Sequence, residues 1–210
     1  MQQQALAIVE QLGLDHSAMP AALCLFQPDW HQGVVGLLAS RIKEKYHRPV
    51  VAFARGDNGE LKGSSRSIPG LHIRDALDAV ATQNPGLITK FGGHAMAAGL
   101  SLSEDKLAEF ENAFQAQVAR SVSTDDLQAK LVTDGSLEPQ QISMHTAELL
   151  RDAGPWGQLF PEPCFQGDFR IVQQRIVGEK HLKLVLSPSN QPEIAIDAIW
   201  FNIDTARWPN

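Results

Sequence analysis

Three short stretches carry residue types able to bind a ligand. The sharpest is Phe91-Gly92-Gly93-His94-Ala95-Met96-Ala97-Ala98-Gly99, in which three glycines and three alanines surround one imidazole. Two consecutive glycines with positive φ can turn successive amide N–H groups inward as an anion nest, above all where a helix starts at His94. The imidazole can then hydrogen-bond a phosphate or a metal-bound water. The structural alternative is a tight turn whose small residues pack a helix closely on a sheet. The second stretch, Lys62-Gly63-Ser64-Ser65-Arg66-Ser67, combines a guanidinium fork, an ammonium, three hydroxyls and a glycine that exposes backbone. Such a set suits a phosphate monoester, and otherwise makes a polar edge strand. The third, Asp29-Trp30-His31-Gln32-Gly33-Val34-Val35-Gly36, is a turn entering a helix. There Gly33 and Gly36 permit tight helix-to-sheet contact and His31 can cap. Trp30 reads more readily as a core anchor than as a base-stacking platform.

No HExxH, GxSxG or Walker A pattern occurs, nor an Asp/His cluster spaced as a metal centre. Asp75 and Asp78 read as a solvated helix face. A Ser/His hydrolase built from Ser64 or Ser67 with His94 lacks an orienting acid. The chain's charge of −6 speaks against nucleic acid, but residues 31–100 hold nine Lys/Arg against five Asp/Glu and four of the seven histidines. A basic, Gly-rich block inside an acidic chain marks a local phosphate-facing surface.

The elements that must position these residues follow from periodicity. Leu6, Val9 and Leu12 predict a helix over the first dozen residues, and 20–26 a strand. Val34, Leu38, Ile42 and Tyr46, at spacing four, predict a helix over 33–46 with that stripe inward. Pro49 ends it. Residues 50–53 and 61–67 then form an antiparallel pair around the Asp57-Asn58-Gly59 turn. Residues 73–80 are helical, and Ser103 caps a helix carrying Leu107, Phe110, Phe114 and Val118. The polar stretch 121–126 reads as a linker. Beyond it Phe169, Ile171, Leu182, Leu184 and Leu186 alternate around Gly178-Glu179 as a hairpin. Ile194, Ile196, Ala198 and Trp200 add a third strand, and residues 140–151 the one helix of that half.

At 210 residues the chain holds one to two domains. With Cys24 and Cys164 as its two cysteines and no CxxC, neither a disulfide framework nor a zinc ribbon can be built. No stretch reaches the roughly 18 apolar residues of a spanning helix, and the first residues are no signal segment. A cytoplasmic location is expected.

The strings WHQGVVGLLASRIKEKYHRPV (30–50), GSSRS (63–67) and KFGGHAMAAGLSL (90–102), in this order, resemble the DHH-associated domain of the RecJ family, single-strand-specific 5′→3′ DNA exonucleases of the DHH superfamily. LLRDAGPWGQLFPEPCF (149–165) and the hairpin through Gly178-Glu179-Lys180-His181 resemble the linker and oligonucleotide-binding (OB) fold that follow in that family. The resemblance implies an α/β DHH-associated domain over 20–122, a mixed sheet with flanking helices. It places the end of a connecting helix at 1–19 and a mostly β, incomplete OB-like domain at 127–210. Two divalent ions, Mn²⁺ or Mg²⁺, belong in that family to an upstream DHH domain, so no metal is expected in this chain, which alone should be inactive.

The resemblance further implies that Ser64 and Arg66, beside Gly63, hold the 5′-phosphate. Gly92, Gly93 and His94 face the scissile region, His94 in a supporting catalytic role. The expected partner is single-stranded DNA in repair and recombination, with a single-strand-binding protein and a helicase as accessories. The net charge of −5 from Ser123 onward weakens strong binding by the OB half. About three strands, where an OB barrel has five, leave an open edge near Trp200 and Phe201 that invites a dimer, an expectation a strictly monomeric sedimentation profile rejects. The alternatives are a DHH-type phosphoesterase of short oligonucleotides or cyclic dinucleotides, and a non-catalytic single-strand-binding module.

Overall fold

The computed structural model describes residues 19–57, 59–157 and 160–203. The helix expected over the first dozen residues and Asn58 of the 57–59 turn lie outside them. Strand β1 (Leu23–Phe26) runs parallel to β2 (Val50–Arg55), the two joined through helix α1 (Gln32–Tyr46). The His31 Nδ1 accepts the Gly33 N–H at 3.0 Å and caps α1. His47, at φ 49°, ends it with its N–H on the Lys43 carbonyl, just before Pro49. The buried stripe is Val35, Leu38, Ala39, Ile42 and Tyr46, and Val34, expected inward, is 36% exposed. Spacing four outruns the helical repeat, so Val34 is rotated about 120° from Tyr46 and its neighbour takes the inward place.

Strand β3 (Glu60–Arg66) returns antiparallel on β2, with Gly59 in the turn at φ 76°. Helix α2 (Ile73–Gln83) follows, then β4 (Lys90–Gly93) and β5 (Ala97–Ser103), giving the sheet order β1-β2-β3-β5-β4. No helix starts at His94, and the tight turn is what the structure holds. A short turn links β4 to β5, and the His94 N–H donates to the Ala97 carbonyl at 2.8 Å. Gly93 alone of the glycine pair has positive φ, 149°, so the double-glycine nest does not form. Strand pairing wins because a Cβ on Gly93 would lie 2.4 Å from the Ala98 Cα, an approach only glycine permits.

Ser103 precedes a 3₁₀ turn, Glu104–Lys106, without the side-chain cap expected of it. Glu104 instead pairs with Arg55 at 2.7 and 3.0 Å, and helix α3 (Leu107–Ser121) follows. One sheet face packs Val51, Phe53, Leu61, Leu100 and Leu102 against α2 and α3, with Phe110 edge-on to Phe53 and stacked on Phe114. The other packs Leu23, Leu25, Val50, Ala52 and Ala54 against α1. Trp30 is buried with this second group, 3% exposed, the core anchor expected of it.

The stretch read as a linker is tied to this unit. Asp126 accepts from the Ser123 N–H and hydroxyl, Leu127 packs on the core, and the Leu127 carbonyl accepts from buried Arg48. The division between the two units falls between Lys130 and Leu131.

The second unit carries α4 (Met144–Asp152), capped by the Ser143 hydroxyl on the Thr146 N–H. Its antiparallel sheet is β6 (Phe169–Val177), β7 (His181–Pro188) and β8 (Ile196–Trp200), in that order. Gly178 and Glu179, at φ 58° and 65°, form the tight turn between β6 and β7. Three strands are present among the described residues, as the alternation predicts. Ile194 precedes β8 rather than belonging to it.

Candidate functional site

Strand alternation decides which members of Lys62–Ser67 can meet a ligand. Lys62, Ser64 and Arg66 lie on the face that α1 partly covers; Leu61, Gly63 and Ser65 lie on the opposite, packed face. The buried Ser65 hydroxyl donates to the Ala98 carbonyl at 2.8 Å, and that of Ser67 to the Leu71 carbonyl at 2.7 Å. Of the three hydroxyls, Ser64 is therefore the one presented with Arg66. Gly63 lacks a side chain for packing: a Cβ there would sit 2.6 Å from the Phe53 ring.

Across β3, β5 and β4 the register aligns three rungs on the α1 side. They are Arg66 with Ala97, then Ser64 with Gly99 and Gly92, then Lys62 with Ser101 and Lys90. Successive rungs stand two residues apart along the strand, about 6.7 Å. Across these rungs, beyond β3, this face carries only Ala97, Gly99, Ser101, Gly92 and Lys90, so it is an open shelf walled by the first turn of α1. A cavity of about 480 Å³ occupies it, lined by Gln32, Lys62, Ser64, Lys90, Gly92 and Ser101 together with the backbone of Gly63 and Gly99. A Cβ on Gly92 would meet nothing within 4 Å.

Arg66 is fixed from three sides. Its Nε donates to the Ser40 Oγ at 3.0 Å, and its Nη1 to the Ser64 Oγ at 3.0 Å and the Ser65 carbonyl at 2.8 Å. A guanidinium has five N–H donors. The two on Nη2 engage no partner among the described residues, and the Ser64 hydroxyl, accepting from Arg66, keeps its own proton to donate. Gly36 of α1 makes room for the arrangement, since a Cβ there would lie 2.9 Å from Nη2 and 3.1 Å from the Ser64 Oγ.

Gly36→Ala has a split expected outcome. Its melting temperature should hold or rise, because alanine gains up to about 1 kcal/mol over glycine inside a helix. Its binding of terminal phosphate should fall about tenfold, one displaced charge-assisted bond. Native binding in this variant would show that the Gly36 contact does not set the guanidinium.

At the far end of the shelf the Lys62 ammonium lies 2.6 Å from the Glu60 carboxylate and 3.0 Å from the Ser101 hydroxyl. The Lys62 hydrogen bond is the largest influence on the Glu60 carboxyl and, with lesser help from the Ser101 hydrogen bond and the charges of Lys62 and Lys90, holds it below its ordinary range against burial, the second-largest influence. Gly93 and His94 sit outside the cavity lining. The exposed turn bearing them is at the Arg66 end, bonded through the His94 N–H to Ala97, the residue paired with Arg66. The types of Lys90, Ser101 and Gln32 do not single them out. The signal that finds them is the register, which sets Ser101 and Lys90 beside Lys62.

In the second unit, alternation puts Gln173, Arg175 and Lys183 on one face and Ile176, Leu182, Leu184 and Trp200 on the other. Asp197 pairs with Lys183 at 3.3 Å. The local cations thus share one face although the unit as a whole is acidic.

Among the described residues no three His, Cys, Asp or Glu side chains converge on a cation site, and no helix is long and apolar enough to cross a membrane. What remains is a shelf bearing Arg66, Lys62 and Lys90 on a mixed five-stranded sheet, and, later in the chain, a small antiparallel β unit. Residues 17–120 match the DHHA1 domain and residues 133–208 the RecJ OB domain, and the chain belongs to the RecJ family.

It is 54% identical over 210 residues to the single-stranded-DNA-specific exonuclease RecJ of Escherichia coli, covering all of this chain and 36% of that protein. The RecJ of Thermus thermophilus is 33% identical over 162 residues, 77% of this chain and 22% of that protein. The crystal structure of RecJ from Thermus thermophilus in complex with Mg²⁺ superposes with a TM-score of 0.71 at 26% identity, covering 99% of this chain and 31% of that one. A second structure of that protein holds Mn²⁺. The described residues of this chain do not fit such an ion. The chain spans about a third of the length of the relatives it matches.

Proposed function

We propose that this chain is the substrate-gripping portion of a single-strand-specific 5′→3′ DNA exonuclease of repair and recombination. Ser64 and Arg66 hold the 5′-terminal phosphate. Gly92 leaves room for the strand beside it, Gly63 and Gly93 serve by letting the sheet pack closely beneath that floor, and His94 supports the reaction from the turn at the Arg66 end. The antiparallel unit follows the strand onward with its Gln173–Arg175–Lys183 face. Hydrolysis is assigned to divalent ions, Mn²⁺ or Mg²⁺, of a DHH domain such as the family's full-length members carry. A cytoplasmic location, and a single-strand-binding protein, a helicase or a second copy of the chain as partners, belong to the same proposal.

The observation carrying this reading is Arg66. It is braced by Ser40 and Ser64 with its Nη2 donors unengaged, at the end of a shelf whose middle rung bears no side chain beyond a serine. Two unengaged N–H groups on one cationic nitrogen, beside a hydroxyl with a proton to donate, suit the three terminal oxygens of a phosphate monoester dianion better than a bridging diester. The RecJ OB match over 133–208 weighs against the short-oligonucleotide phosphoesterase alternative.

The test is a titration of this chain with fluorescent oligothymidylate bearing a 5′-phosphate or a 5′-hydroxyl. Tighter binding of the phosphorylated strand by about tenfold or more is expected, and equal affinity removes the assigned pocket. With Mn²⁺ present the chain should leave the strand uncut; hydrolysis that survives purification contradicts the gripping-portion reading.

A further inference from the structure

The Gln173–Arg175–Lys183 face of the second unit holds a carboxylate among its cations. Register sets Arg175, Lys183 and Ile199 on one rung across β6, β7 and β8, and Gln173, Val185 and Asp197 on the next. Lys183 and Asp197 are therefore diagonal neighbours on adjacent strands, and their charged groups meet at 3.3 Å. Arg175, directly opposite Lys183, engages no partner among the described residues. A cavity of about 340 Å³ lies over these rungs, with Gln173, Arg175, Lys183, Val185 and Asp197 in its lining. The two ends of the ion pair are unequal. The Lys183 side chain is 38% exposed and that of Asp197 76%, so the carboxylate can swing into water while the ammonium stays over the sheet.

We infer that Asp197 is the affinity-limiting residue of this face, an internal counter-anion that holds Lys183 until a phosphodiester of single-stranded DNA displaces it. The inference rests on the proposed reading that this face meets the strand. A phosphodiester bears one negative charge, as the carboxylate does, so the two compete for the same ammonium and only Arg175 receives the strand uncontested. An exposed pair of this kind is weak, so the exchange costs little and the grip stays reversible. Without Asp197, two cations side by side would hold each phosphate outright, and a strand that has to be fed onward would be slowed. Like charges directly opposite one another also repel, so Asp197 steadies the sheet as well. The test separates that structural role from the competitive one.

The whole chain is titrated with 3′-labelled, 5′-hydroxyl oligothymidylate of roughly 16 nucleotides, the upper site size of an OB fold, at several salt concentrations. The missing 5′-phosphate keeps the Arg66 pocket out of the comparison. Asp197→Asn should bind about fivefold more tightly than the native chain at low salt. Its plot of log affinity against log salt should steepen by about 0.7, one further phosphate neutralised. Loss of folding cannot imitate a gain of affinity, and a purely structural role does not move the salt slope. In a Lys183→Gln background the same substitution should change affinity by less than about twofold, because its effect passes through the ammonium.

Native affinity and slope in Asp197→Asn overturn the inference. So does an equal gain with and without Lys183, which would make the carboxylate a general repellent of the strand. Arg175→Gln with Lys183→Gln tests the underlying reading by itself. If that double variant binds as the native chain does, this face does not meet the strand and the inference falls with it. If it binds more weakly while Asp197→Asn stays at the native value, the face stands and the counter-anion role alone is removed.

Discussion

Alanine at Gly93 is expected to cost the first unit about 3–5 kcal/mol of stability, whereas alanine at Gly92 should leave the unfolding midpoint nearly unmoved. The two glycines are neighbours in sequence but sit on opposite faces of β4. At Gly93 a Cβ would lie 2.4 Å from the Ala98 Cα and 2.5 Å from the Ala97 carbonyl oxygen, both backbone atoms of the paired strand. Its φ of 149° is also one that side chains avoid. Neither contact can be relieved by rotating a side chain, so the hairpin must open. At Gly92 the same methyl would project over the open shelf and touch nothing. Its effect should appear in ligand binding, by raising the floor under the strand. Urea unfolding of both variants followed by circular dichroism decides the matter, and equal midpoints would contradict the close β4–β5 approach.

That contrast shows how far the sequence carries the site. Periodicity placed α1, the β2–β3 hairpin, α2, α3 and the β6–β7–β8 meander, because each has a continuous apolar repeat with turn residues at its ends. It leaves two readings open where small residues erase the repeat. The Gly-Gly-His-Ala-Met-Ala-Ala run has no apolar period, so a helix start and a strand turn read alike, and the choice falls to the backbone approach of Gly93 to Ala98. Ser103 and Glu104 failed for a different reason. A distant cation, Arg55, claims the carboxylate, and capping rules see only local partners. Within the site, residue types pointed to Ser64 and Arg66. Lys90 and Ser101 become visible only once β5 is known to lie between β3 and β4, a pairing out of sequence order. Net charge is silent on such placement, because alternation sorts side chains to faces while the sum counts every residue.

Arg66→Ala is expected to reduce the preference for a 5′-phosphorylated over a 5′-hydroxyl single strand by about 10- to 100-fold, the range of one to two charge-assisted hydrogen bonds on a half-buried group. The magnitude depends on how the guanidinium is held. Ser40, Ser64 and the Ser65 carbonyl together fix its plane, so the Nη2 donors meet a phosphate with little ordering still to be done. Arg66→Lys keeps the charge but cannot reach the Ser40 and Ser64 hydroxyls at once, and should recover only a small part of the preference. Ser40→Ala removes the brace without touching the ligand. It should cost roughly three- to fivefold, and in a cycle with Arg66→Ala its effect should vanish, because its influence passes through the guanidinium alone. Additive losses from Ser40→Ala and Arg66→Ala would mean that Ser40 acts on the strand by another route and that the brace is incidental. Equal binding of both 5′ ends by native chain and Arg66→Ala alike would mean that the guanidinium serves the packing of α1 on β3, with the shelf left as a general anion surface.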